Sequence, residues 1–217
     1  MSTRLRRERV TELFVAPEFP ELKFNEKNHT YWLYGTRIPS VSELMRPLSD
    51  SMYKGIDAEI LDLAAARGSA VHEAIENFAK YGIEDCETEH RGYFGGFLAW
   101  VKENRVEILA SETMAYNRVY RYAGTLDLIC NVRGERWLVD VKTTAQVNRM
   151  LTSVQLEAYE AALASHGIAV DRKAVLHLKK TGKHQVHITD KASGAEAWTT
   201  FGALMTVYSH IQKYKKG

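Results

Sequence analysis

Residues 106–142 contain three strand-patterned stretches in succession, and two of them carry an aspartate inside an apolar run. The stretches are Val106–Tyr116, Tyr122–Val132 and Arg136–Lys142, whose side chains suit a pleated, half-buried surface. Arg133-Gly134-Glu135 is turn material, so the second and third stretches should form a hairpin. Such strands must pair into a sheet, and the faces of that sheet must be covered. The intruding acids are Asp127, in Gly-Thr-Leu-Asp-Leu-Ile, and Asp140, in Trp-Leu-Val-Asp-Val-Lys. A charge within an apolar strand requires a partner, because burying it alone is costly.

Helical patterns supply the cover. Ile60, Leu61, Ala64 and Ala65 recur at helical spacing after Asp57, and Gly68 is expected to interrupt that helix. A second helix then places Val71, Ala74, Ile75 and Phe78 on one face, and a third over 90–104 turns Phe94, Phe97, Leu98 and Val101 inward. Beyond the strands come a helix at 153–165, strands at 173–179 and 184–189, and a closing helix at 195–213. Ahead of them, 29–38 reads as an aromatic hairpin turning at Gly35, followed by a helix start capped by Ser40 or Ser42. The order implies an α/β (α+β) class, a mixed sheet flanked by helices. A length of 217 residues suits one domain. Its expected parts are an arm at 1–28, a hairpin and helices at 29–66, a core at 67–160, and strands and a helix at 161–217.

Bulk properties exclude more than they select. Lys and Arg number 29 against 27 Asp and Glu, so a net charge of +2 does not by itself announce a polyanion binder. The two cysteines, Cys86 and Cys130, are too few for a zinc or iron–sulfur site built on four thiolates. The opening residues are basic but include Glu8 and Glu12 with no apolar stretch behind them, and no apolar run is long enough to span a membrane. The expectation is a cytoplasmic protein with no membrane partner.

Asp140 and Lys142 stand two apart on one strand and so share a face, with Val141 on the other. An acid-x-Lys triplet means little alone, and it recurs at Glu21–Lys23 and Asp171–Lys173 in settings where an exposed pair is unremarkable. A structural ion pair would also account for Asp140–Lys142. A divalent cation between Asp127 and Asp140, beside a lysine, is the chemical alternative. Gln155 and Tyr159 lie one helical turn apart, a common surface pattern. His72 sits beside the apolar stripe of its helix, where a packed core histidine is the ordinary outcome.

Taken in order, Gly-x-x-x-His (68–72), Gly-x-x-Asp (124–127), Asp-x-Lys-Thr (140–143) and Gln-x-x-x-Tyr (155–159) resemble the RecB-like, phage-exonuclease branch of the PD-(D/E)xK nucleases. The resemblance spans roughly 67–160. It implies a restriction-endonuclease-like fold and Mg²⁺ or Mn²⁺ held by Asp127, Asp140, the Val141 carbonyl and His72. It implies that Lys142 positions or helps deprotonate the attacking water, with Asp127 and Asp140 also catalytic. Gln155, Tyr159 and Thr143 would support the site or touch DNA, and Glu112 matches a strand acid that some relatives keep. The iron–sulfur cluster of some relatives is not expected. The activity implied is metal-dependent DNA exonuclease action in phage or bacterial recombination, repair or processing. A structure- or site-specific endonuclease, or a non-cleaving DNA-binding protein, could use the same scaffold. A homo-oligomer or a recombination partner protein is compatible with either. Arg67, Arg118, Arg121, Lys179, Lys180 and Lys183 are the expected phosphate-tracking cations, and Tyr31, Trp32 and Tyr34 could stack on a frayed end, at least one of them being core.

Overall fold

The computed structural model describes residues 14–215. Residues 1–13, most of the expected arm's first half, lie outside the described residues. The remainder of that arm is not all irregular, since Leu22–Asn25 forms a strand, β1. It pairs with β2 (Thr30–Leu33), which turns back into β3 (Thr36–Ile38), giving a three-stranded antiparallel meander. Tyr34 and Gly35 both take positive φ, 50° and 75°, the two-residue turn that matches strand twist.

Helix α1 (Val41–Met52) starts at Ser40, whose hydroxyl accepts the Glu43 backbone N–H. Helix α2 runs unbroken from Ala58 to Tyr81, which corrects the expected interruption at Gly68. One glycine costs only about 1 kcal/mol in a helix, and the flanking alanines propagate it readily. A Cβ at residue 68 would stand 4.0 Å from the Thr143 hydroxyl, an ordinary contact, so nothing at this position demands glycine or breaks the helix. Helix α3 (Arg91–Asn104) follows.

The main sheet has the order β4-β5-β6-β7-β8: Glu107–Tyr116, Ala123–Val132, Glu135–Lys142, Arg172–Leu178 and His184–Ile188. Every neighbouring pair is antiparallel except β6 with β7, whose crossover is α4 (Arg149–Ala164). Helix α5 (Lys191–Tyr214) closes the described chain. One face of the sheet packs against α1, α4 and α5 through Leu44, Leu138, Leu156, Leu163 and Phe201. The other packs against α2 and α3 through Val71, Ile75, Phe97, Val139 and Val141. The fold is thus a five-stranded mixed sheet flanked by helices, of restriction-endonuclease-like type.

Two expected details change. Helix α4 begins at Arg149, capped by Asn148, four residues earlier than the apolar spacing suggests. Lys173 does not pair with Asp171 in an exposed doublet; its ammonium bonds Glu157 and Glu160 of α4, while Asp171 accepts the Arg136 N–H.

Candidate active site

The strand register places three acids side by side. Glu112 and Asp127 occupy the step between the pairs Ser111↔Leu128 and Thr113↔Leu126 of β4 and β5. Asp140 lies one step beyond Leu128↔Val139, where the β5–β6 ladder ends. There the strands part, and Asp127 Oδ2 accepts the Val141 N–H at 2.6 Å in place of a ladder bond. Glu112 holds φ at 43°, a left-handed conformation that costs a non-glycine residue about 1–3 kcal/mol. The packing of β4 maintains that strain where the acid meets its neighbours.

Helix α2 brings His72 over this row. Nδ1 lies 3.1 Å from Glu112 Oε1 and 3.8 Å from Asp127 Oδ1, and Nε2 lies 3.2 Å from the Val141 carbonyl. His72, Glu112 and Asp127 offer ligand atoms that all fall within 4.8 Å of one another. Both ring nitrogens face acceptors, an arrangement that only the doubly protonated ring satisfies. Burial pulls the imidazole pKa down, but the Asp127 charge and the Glu112 contact outweigh it and raise it to about 9.

Asp140 is buried, 2% exposed, on the α4 side of the sheet. Its Oδ1 accepts from Lys142 Nζ at 2.8 Å, whereas its buried Oδ2 has no partner among the described residues. Burial pushes this carboxyl up to about 6 against the pull of Lys142. Burial also acts to lower the Lys142 pKa, yet Asp140 and then Asp127 prevail and hold the ammonium above its ordinary value. Lys142 Nζ reaches Gln155 Oε1 at 3.4 Å, and Gln155 Nε2 reaches the Tyr159 hydroxyl at 3.4 Å. The Gln-x-x-x-Tyr pair therefore backs the lysine.

Gly124 belongs to the same support. A Cβ there would stand 2.5 Å from the Tyr159 ring, so only glycine lets α4 seat against β5 at this level. Gly124→Ala is expected to cost about 1–3 kcal/mol of stability by overpacking, measured by urea unfolding.

Not every expected residue joins the cluster. Thr143 is buried behind Lys142, beneath α2. Lys179 does not stand free for phosphate: its ammonium bonds the Ala145 carbonyl at 3.0 Å. Arg67 lies over the Tyr93 ring at 5.6 Å, while Arg118, Arg121, Lys180 and Lys183 are exposed. Tyr31 is core, its hydroxyl on Thr125, whereas Trp32 and Tyr34 are exposed. His177 escapes the sequence reading. It pairs in register with Lys142, and its Nε2 lies 2.7 Å from the Thr144 carbonyl, where the chain leaves the site. Its only sequence signal is a polar residue within an apolar strand.

A five-stranded mixed sheet with acids abreast on three strands, a lysine beside the innermost and a helix histidine above them is the framework of a metal-dependent nuclease. The chain belongs to the PD-(D/E)XK nuclease superfamily, whose family model matches residues 60–207. Membership implies metal-dependent nuclease activity with divalent cations. No curated protein matches. Nineteen chains of known structure match; the crystal structure of SSO0001 is 15% identical, over 76% of this chain and 74% of that chain, with a TM-score of 0.39. Among the described residues no helix is long and apolar enough to cross a membrane.

The donor set fits a hard divalent cation: carboxylates, a carbonyl and one imidazole, with an orphaned carboxylate oxygen close by. An imidazolium cannot ligate, so metal binding should release close to one proton per ion at pH ~7.5. Apparent affinity should rise with pH until about 9. Calorimetry in buffers of different ionisation enthalpy measures both. In the metal-free protein the folded-state pKa of about 9 exceeds the ordinary 6.5, so His72 stabilises the fold fully below 6.5 and progressively less as pH rises through 9.

Proposed function

We propose that the protein is a metal-dependent DNA exonuclease acting in phage or bacterial DNA recombination, repair or processing, on the RecB-like branch of its superfamily. The observation that carries the reading is Asp140: a buried carboxylate with one oxygen on Lys142 and the other without a partner among the described residues. A purely structural ion pair would satisfy both oxygens, because an orphaned buried acceptor is destabilising. In this reading Asp127, Asp140, the Val141 carbonyl and His72 would hold Mg²⁺ or Mn²⁺, and Glu112 would add a further carboxylate. The cation supplies polarisation of the scissile phosphate and a lowered pKa for a water. Lys142, kept protonated by Asp140, donates to that water or to a phosphate oxygen and offsets the charge that develops. Gln155 and Tyr159 hold the ammonium in place. Water oxygen bonds to phosphorus, the P–O bond to the leaving oxygen breaks, and the water's proton ends on that oxygen or in solvent. The choice of an exonuclease rests on the branch resemblance.

Incubation with Mg²⁺ and end-labelled linear DNA, against covalently closed DNA, tests the proposal. Mononucleotide release from linear DNA with closed DNA left intact is expected. Nicking of closed circles would favour the endonuclease reading, and no cleavage of either would remove the nuclease reading.

A further inference from the structure

Lys142 forms one end of a second feature, a groove of about 190 Å³ between α1 and α4. Met45, Tyr53 and Ser49 wall it on the α1 side, and Val147, Leu151 and Thr152 wall it on the other. Gln155, the residue backing Lys142, lies at the same end. Tyr53 caps the last turn of α1, is 39% exposed, and lies near enough to Lys142 to act on its charge. Met52 and Ile56 beside it are also exposed.

The groove suits a flat, neutral group. Among its lining residues there is no acid, and Lys142 is its one cation, already committed to Asp140. A second phosphate lodged inside the groove would find no cation beyond Lys142, which the scissile phosphate already uses in the reading above. The space is well below the roughly 300–1,000 Å³ of a small-molecule site, which leaves room for one planar ring system. Apolar walls with hydroxyl and amide edges are what a nucleobase requires, since its faces stack and its rim hydrogen-bonds.

We propose that this groove takes one unpaired nucleobase adjoining the scissile phosphate, with Tyr53 stacking on it, so that the enzyme acts on single-stranded DNA or a frayed end. This rests on the nuclease reading above and adds the form of the substrate. A base held there cannot remain paired, because α1 and α4 occupy both sides of it. Blunt duplex is therefore a poorer substrate than a single strand of the same sequence.

The test is cleavage of end-labelled oligonucleotides in Mn²⁺: a single strand, the same strand with one internal abasic residue, and the blunt duplex. Wild-type protein should slow about tenfold at the abasic step and on the duplex. Tyr53→Ala should raise KM on the intact strand about tenfold with kcat little changed, and should no longer distinguish the abasic step. Tyr53→Phe, which keeps the ring, should behave as wild type. Equal wild-type rates on all three substrates would overturn the proposal, as would a Tyr53→Phe defect matching that of Tyr53→Ala, which would assign the effect to the hydroxyl rather than to stacking by the ring. Each of those results leaves the nuclease reading standing. Absence of any wild-type cleavage would instead sink the nuclease reading.

Discussion

Asp140→Ala protein is expected to lose both measurable cleavage and most of its metal affinity, whereas Lys142→Ala loses cleavage by about a hundred- to a thousandfold while still binding metal. The division follows from geometry. Asp140 keeps one oxygen without a partner among the described residues and lies near enough to Asp127 for their charges to interact, so in the proposed reading its removal takes away a ligand. Among the described residues Lys142 bonds the other oxygen and Gln155, so its removal takes away a donor. The lysine variant should also reveal the electrostatics. Asp140 already stands at about 6 with the ammonium beside it, and without it the carboxyl climbs further. Lys142→Ala should therefore bind Mn²⁺ nearly as well as wild type well above pH 6 and distinctly worse close to it, by calorimetric titration. Normal cleavage by Lys142→Ala would remove the lysine from the mechanism. Either variant should be less stable without metal, since breaking a buried pair costs about 3–5 kcal/mol.

Chelation is expected to have an effect of the same size. EDTA should stop cleavage, Mg²⁺ or Mn²⁺ should restore it, and Ca²⁺ should support DNA binding with little cutting. A second readout does not depend on activity. Metal-free protein sets Glu112, Asp127 and Asp140 abreast with one imidazolium and one ammonium to offset them. An ion bound to the folded state alone adds about 2.7 kcal/mol at a hundredfold excess over Kd. For a chain of this size the thermal midpoint should then rise by several degrees. His72→Ala should lose more of the Mn²⁺ shift than of the Mg²⁺ shift, because nitrogen ligation favours the softer ion. An unchanged midpoint with Mn²⁺, together with undiminished cleavage after exhaustive chelation, would exclude a metal site at these residues.

The elements are legible because they are local. Tyr34-Gly35 and Arg133-Gly134 specify two-residue turns, and the central strands β5, β6 and β7 carry apolar alternation or continuous apolar runs, as their positions in the sheet demand. Asp127, Asp140 and Lys142 are conspicuous because charge inside an apolar strand is expensive and needs a reason. Gly68 misleads because one glycine is a weak stop signal once a helix has packing on one side and small residues on the other. Lys179 misleads because a lysine near a strand end looks the same whether it is solvated or tied to a carbonyl.

Sequence alone determined the order of the five main-sheet strands, the α+β class, and which acids and which lysine had to be explained, but not β1 or the unbroken α2. Spacing along one strand settled that Asp140 and Lys142 share a face, since alternation is a property of the backbone. Tertiary structure decided everything that depends on register between strands and on how a helix lies over them. It set Glu112 opposite Asp127, swung His72 across Val141, left Asp140 Oδ2 without a partner among the described residues and placed Tyr53 in one groove with Lys142. Most of those residues are separated by tens of positions in the chain. Their meeting is fixed by the summed packing of two hydrophobic layers, to which no local run of residues gives access.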